Sequence, residues 1–348
     1  MTGWRSDLTT LKSVGLQKQI DKYTWYYKRD IAIVICEKWK ELDIKKEGIH
    51  KMQEVKSVAE YINYLDTLQE TYPKQRYVAS STFFRGQSNI DWKLSPKLYR
   101  EELLEQEGIM IEEIVHSNPK EFELERFDIL AKLQHFGFPT RLLDVTSNPL
   151  VALYFACSDK EELAQDGAVY VFPNLPASWS DDPLVDLIMD FIFEHTPNGL
   201  HLNNFLKVTQ NKYKNVTTRL MPETIKDLLH YLTIPAFAVV PKKNNIRLIA
   251  QEGAFFLFGM KILGQKISSN LGTSGRECYS FGQIEMEDHK KLWHASEKVV
   301  IPTESKKKIL KQLDLMGINE QRLFPDIEHQ LKYIWEKYKS KSESKINE

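Results

Sequence analysis

Four short stretches hold most of the side chains able to do chemistry: FFRGQ at 83–87, LQHFGFPTRLLDVTSNPLVALYFA at 133–156, RLIAQEGAFF at 247–256 and LFPDIE at 323–328. In the first, Arg85 follows two phenylalanines at the end of what reads as a buried strand. A guanidinium carries five donors in a planar fork, a shape matched to phosphate or carboxylate. Gly86 has no Cβ to hold a ligand or a neighbouring backbone at a distance. Two readings are open: Arg85 waits for an anionic ligand, or it pairs with a buried acid such as Asp144.

The second stretch crowds Gln134, His135, Thr140 and Arg141, then Asp144, Thr146, Ser147 and Asn148, among apolar residues. Polar groups packed this way must find partners or stay wet. Pairing of Asp144 with Arg141 or His135 is the structural account of part of the set. Thr146 and Ser147 precede an expected helix start, where hydroxyls and free N–H groups cap the helix or hold an anion. His135, with an ordinary pKa near ~6.5, is a candidate general base, although a lone histidine is also a common core residue. In the third stretch Gln251 and Glu252 read as neighbours on a strand, so they point to opposite faces and only one can share a site with Arg85. His289 and His294 are five apart, which does not put both on one helical face, and no carboxylate completes a set of ligands. No metal is expected. The glycine-rich phosphate loop, G-x-G-x-x-G, G-x-S-x-G and H-E-x-x-H are all missing from the sequence.

The elements that must position these residues are legible in part. A helix is predicted over roughly 57–70, where Ser57 and Glu60 resemble a capping box and Val58, Ile62, Leu65 and Leu68 recur at helical spacing. RYVASSTFFRG reads as a strand ending at Gly86, and the run from Phe122 to Leu133 as a helix stopped by Gly137 and Pro139. Another helix starts after Ser147 or Asn148 with Pro149 in its first turn. Strands are predicted at 167–173, 235–241 and 246–259, and two amphipathic helices, 304–318 and 324–338, around a turn at Gly317. Strands and helices interleave without regular alternation. The fold expected is therefore α+β, with a mixed or split antiparallel sheet core flanked by helices. Residues 1–54 read as an extension packed on the core, 55–335 as the main domain and 336–348 as a polar tail.

The chain has 348 residues, 42% of them hydrophobic, which is ample for a packed core. With 47 basic and 48 acidic side chains the net charge is -1, against the basic excess of a dedicated nucleic-acid binder. Cys36, Cys157 and Cys278 form no disulfide framework and suit a reducing cytoplasm. No apolar targeting segment is visible at the N-terminus, and the apolar run at 31–36 is far short of a membrane span. A cytoplasmic protein without a membrane partner is expected, its oligomeric state left open.

FRGQ at 84–87, the long stretch at 133–156, IRLIAQEGAF at 246–255 and GINEQRLFPDIE at 317–328 together resemble the FRG domain, a bacterial and phage-associated family. The resemblance runs over roughly 55–335. A more distant one concerns order: Arg85-Gly86, then Thr146-Ser147 followed by VALYFA, then Gln251-Glu252, is similar to ADP-ribosyltransferases. That likeness implies an ADP-ribosyltransferase-like fold with NAD as the nucleotide substrate. Arg85, with Gly86 and Gln87, would then hold the pyrophosphate or the nicotinamide ribose, and Thr146 and Ser147 would position that ribose. Thr140, Arg141 and Asp144 would complete the cofactor-binding set. Gln251 or Glu252 would hydrogen-bond the ribose hydroxyl as the glycosidic bond breaks, and His135 would join them as a catalytic group. The sequence departs from the transferases in one respect. Those that modify protein side chains carry a Glu-x-Glu or Gln-x-Glu pair, its two members separated by one residue, whereas here the two are adjacent. The activity implied is an NAD-consuming transferase, a toxin or phage-defence effector acting on a protein or nucleic-acid acceptor. The competing expectation is a non-catalytic module that holds a nucleotide or another anion.

Overall fold

The computed structural model describes residues 53–72, 80–194, 202–214, 221–268, 276–284 and 296–327, together with 329–331, 334, 335 and 338. Most of the expected N-terminal extension, with Cys36, lies outside these residues, as do His289, His294 and all of the polar tail except Tyr338.

After a short strand β1 (Gln53–Glu54), helix α1 (Val58–Thr71) begins where the Ser57 hydroxyl accepts from the Glu60 N–H. The Glu60 carboxylate reaches back to the N–H of Lys56 rather than of Ser57, so only half of the capping box forms. Strand β2 (Ser80–Gln87) carries the FRGQ motif. It leads through α2 (Lys97–Arg100), α3 (Glu107–Ser117) and α4 (Arg126–His135) to β3 (Leu142–Thr146). Helix α5 (Pro149–Phe155) starts as expected, with the Asn148 side chain accepting from the N–H groups of Leu150 and Val151. Strand β4 (Gly167–Trp179) is followed by α6 (Pro183–Glu194), α7 (Leu202–Lys212), α8 (Ile225–Leu232) and β5 (Ala236–Val240).

Here the structure departs from the sequence reading. The predicted strand over 246–259 is a one-turn helix, α9 (Ile246–Ala250), a tight turn, and then β6 (Gly253–Phe258). Asn245 starts the helix by accepting from the N–H groups of Arg247 and Leu248, and Glu252 turns the chain with φ +46. The chain continues through the hairpin β7 (Lys261–Ser268) and β8 (Arg276–Gly282), then β9 (Glu297–Ile301), α10 (Thr303–Leu315) and α11 (Glu320–Leu323).

The main sheet runs β1-β9-β4-β2-β3-β6-β5, and β5 returns to pair with β4. Strands β4, β2, β3, β6 and β5 therefore close into a five-stranded barrel, with β9 and β1 extending from β4. The sheet is mixed: β1–β9 and β4–β5 are parallel, the other pairs antiparallel. Strand β4 serves both parts because it is long. Gly167 to Val171 pairs with β9 and Ala177 to Trp179 with β5, and between them Asn174 adopts φ +52. Helices surround this core, and none among the described residues is long and apolar enough to cross a membrane.

Side chains alternate along β2 as they must on a pleated strand. Phe83 enters the larger core, its ring edge-on to Phe256 at 6.2 Å, while Phe84 enters a second core with α5. A Cβ at Gly86 would fall 1.8 Å from the Ala152 carbonyl oxygen, so this glycine exists for α5, whose backbone lies directly on β2. Of the two partners the sequence allowed for Gly86, the structure shows the neighbouring backbone.

Candidate functional site

Strands β2 and β3 share a single register pair, Phe84 with Thr146, although each pairs extensively on its other side. Beside this thin junction opens a cleft of about 420 Å³. Arg85 comes to it from β2, Asp144 and Thr146 from β3, and Gln134 and His135 from the end of α4. Arg247 and Gln251, from α9 and its C-cap, and Phe324, just past α11, complete it. All four chemistry-bearing stretches thus meet in one place.

Arg85 is not paired with Asp144 as an ion pair. Its Nη1 donates to the Asp144 backbone oxygen at 2.6 Å, and its buried Nε has no hydrogen-bond partner. Among the described residues no carboxylate forms an ion pair with it. Desolvation pulls its pKa down, opposed by the negative charge of Asp144. The Asp144 carboxylate is exposed to the cleft and is held by Gln134, whose Nε2 donates at 3.0 Å. Gln134 is fixed in turn by the Thr140 hydroxyl, which donates to its Oε1 at 2.5 Å. Thr140 itself is fully buried and reaches the cleft only through this relay.

Arg247 is the second guanidinium of the cleft, and among the described residues it forms no ion pair either. It lies 4.6 Å from the Phe324 ring centroid, and burial lowers its pKa against the pull of Asp144 and Asp326. The loop that carries it is stitched to both neighbours. Thr146 Oγ1 donates to the Gln251 backbone oxygen at 2.7 Å, and Gln251 Nε2 donates to the Leu323 oxygen at 3.0 Å. His135 makes no side-chain hydrogen bond among the described residues, and its pKa is lowered by burial first and by the Arg247 charge next.

Besides Thr140, four of the sequence-predicted residues stand outside the cleft. Arg141 is 2% exposed and locked to Glu107 of α3, with Nε donating at 2.9 and 3.0 Å and Nη2 closing the fork. The pairing of Asp144 with Arg141 or His135 is likewise not formed. Gln87 is buried, its Oε1 without a partner, and lines no part of the cleft. Ser147 and Glu252 look into a neighbouring cleft across the α9–β6 turn. Gln251 and Glu252 therefore face different spaces, but a helix C-cap followed by a left-handed turn separates them, not strand alternation.

Arg247 was not among the predicted site residues. Its signal was available: once 246–250 is a helix begun by Asn245, Arg247 and Gln251 are four apart and share a face. Phe324 carries no such signal, because its place depends on α11 packing against α9.

Two unpaired guanidinium groups, a fixed carboxylate and an aromatic ring make a site for an anion that also bears hydrogen-bonding groups. Among the described residues no three His, Cys, Asp or Glu side chains gather as a metal site would require. Compared with known families, residues 80–165 match the FRG domain, a span that holds β2, α4, β3 and α5 and hence Arg85, His135 and Asp144. No curated protein and no solved structure matches the chain.

Proposed function

We propose that this chain, which carries an FRG domain, binds a phosphorylated nucleotide in the Arg85 cleft. The observation that carries the reading is Arg85 itself: a desolvated guanidinium with an orphaned Nε and no carboxylate of its own. A half-buried guanidinium with no carboxylate partner keeps donor capacity that a ligand oxyanion would fill. Arg247 supplies a second cation for a second phosphate. Trp92, 41% exposed at the rim, offers a ring face for a heterocycle, and the Asp144 carboxylate suits ribose hydroxyls. A volume of about 420 Å³ is in the range of small-molecule sites.

A second reading makes the nucleotide NAD and adds loss of nicotinamide, as in ADP-ribosyltransferases. Its support is the order of motifs in the sequence, on which the finer fold likeness also rests. In that reading Asp144, rather than Glu252, would be the carboxylate near the breaking bond, with His135 beside it. Glu252 belongs to the other cleft, and the Gln251 amide is occupied by Leu323. Binding is thus better supported than turnover, and a toxin or phage-defence role remains an implication of the family resemblance alone.

Calorimetric titration with NAD, ADP-ribose, ADP and adenosine tests both readings, with nicotinamide followed by mass spectrometry. The phosphorylated ligands are expected to bind, and Arg85→Ala or Arg247→Ala to weaken them by roughly 10- to 100-fold, as loss of a charge-assisted hydrogen bond would. A bound anion favours the His135 imidazolium, whose pKa is otherwise held below the ordinary histidine value, so affinity should rise as pH falls below ~6.5. Failure of every phosphorylated ligand to bind would sink the proposal. Nicotinamide released by the native chain and not by Asp144→Asn would establish the second reading.

A further inference from the structure

Leu248, Gly253 and Ala254 form a wall shared by two clefts. On the far side from Arg85, a second cleft of about 420 Å³ opens at the end of the barrel where β4 and β5 run parallel. Glu252 reaches into it. Its Oε1 accepts from Asn148 Nδ2 at 2.8 Å and its Oε2 from Ser147 Oγ at 3.4 Å, while its backbone oxygen accepts from the Ser147 N–H at 3.1 Å. The residue sits at φ +46, in the left-handed region where a glycine would be cheaper. Backbone strain is retained at a residue whose carboxylate is aimed into a cleft and clamped there, the pattern of a position kept for its side chain.

Trp179, the last residue of β4, lines the same cleft and is 65% exposed. Two lysines also line it. Lys242 is engaged by Glu125 at 2.6 Å and lies 3.8 Å from Asp181, so its charge is already answered. Lys243 is exposed and opposes any incoming cation. A fixed carboxylate and an exposed indole lining one cleft can recognise a cation by ion pairing and by the ring quadrupole. Each Glu252 oxygen accepts one hydrogen bond and keeps lone-pair capacity for another. That arrangement suits a planar guanidinium, which can fork across both oxygens and stack on an indole, better than a compact ammonium.

We infer that this second cleft binds a guanidinium-bearing side chain, independently of whatever occupies the Arg85 cleft. The probe is Nα-acetyl-arginine amide titrated into the whole chain by two-dimensional NMR, with the citrulline analogue as the uncharged isostere and the lysine analogue as the ammonium. Saturable binding is expected for the arginine probe, weaker by about tenfold for citrulline and by a smaller factor for lysine, and weakened by salt. Glu252→Gln, which retains an acceptor for Asn148, and Trp179→Ala, a change at an exposed position, should each abolish it. Arg85→Ala should leave it intact, and Lys243→Ala should tighten it by removing a like charge. Citrulline binding as well as arginine, loss of binding in Arg85→Ala, or no saturable binding at tens of millimolar would each overturn the inference. Should Glu252→Gln fail to fold, Trp179→Ala and the citrulline comparison decide the matter alone.

Discussion

Arg85 and Arg141 stand in contrasting company. Arg141 meets Glu107 in a two-pronged pair, both side chains almost wholly buried. Arg85 has one backbone carbonyl and an idle Nε. Removing one partner of a buried pair strands the other charge, so Arg141→Met should cost about 3–5 kcal/mol. Arg85→Met removes a charge with no partner to strand and loses one hydrogen bond, so stability should change by no more than about 1 kcal/mol in either direction. Urea denaturation of the two variants checks the contrast, and a large loss for Arg85→Met would mean that the guanidinium is structural. The sequence could not separate these arginines. Both stand among polar and apolar residues mixed together, and the partner that decides Arg141 lies 34 residues earlier, in α3.

Elements were most legible where local chemistry decides them. Ser57, Asn148 and Pro149 announced α1 and α5, the run at 235–241 contains β5, and the run at 167–173 is the first half of β4, which continues to Trp179. The failure at 246–250 has a local cause as well. Five largely apolar residues fit a strand or a helical turn, and the Asn245 side chain, not the periodicity, breaks the tie. Gly86 was legible as special but not for which neighbour. Its missing Cβ is required by α5, where that atom would meet the Ala152 oxygen at 1.8 Å and the Ala156 nitrogen at 2.7 Å. These are backbone atoms and cannot swing aside, so Gly86→Ala should lift α5 from β2 at a cost of roughly 1–3 kcal/mol or more. Gly137 makes the control. It has φ +78 but open space around its Cβ position, so Gly137→Ala should cost only about 1 kcal/mol through its backbone. Thermal melts that ranked the two in the reverse order would refute this account of the Arg-Gly pair.

Closure of the barrel was not visible in the sequence, because it depends on pairing Ala177–Trp179 with Ala238–Val240 across some sixty residues and three helices. The same long-range pairing decides whether the family-matched span can stand alone. Within residues 80–165, β2 and β3 touch through one register pair, whereas β2 has seven with β4 and β3 has five with β6, both outside that span. Helix α10 also reaches back into it. Lys306 is fully buried, and its Nζ donates to the backbone oxygens of Ser88 at 2.6 Å and Glu162 at 2.8 Å. A fragment of residues 80–165 would leave Leu142, Leu143 and Val145 without the β6 face they pack on and Arg85 without the α9 wall of its cleft. Two strands with so little mutual pairing cannot form a stable sheet in water. The fragment should therefore show no cooperative thermal transition and collapsed amide dispersion, while a chain running from 53 through the Phe324 segment should melt cooperatively. A cooperative melt from the fragment would mean that the motif folds by itself and that the cleft walls contributed by α9 and Phe324 are later additions to a self-sufficient unit.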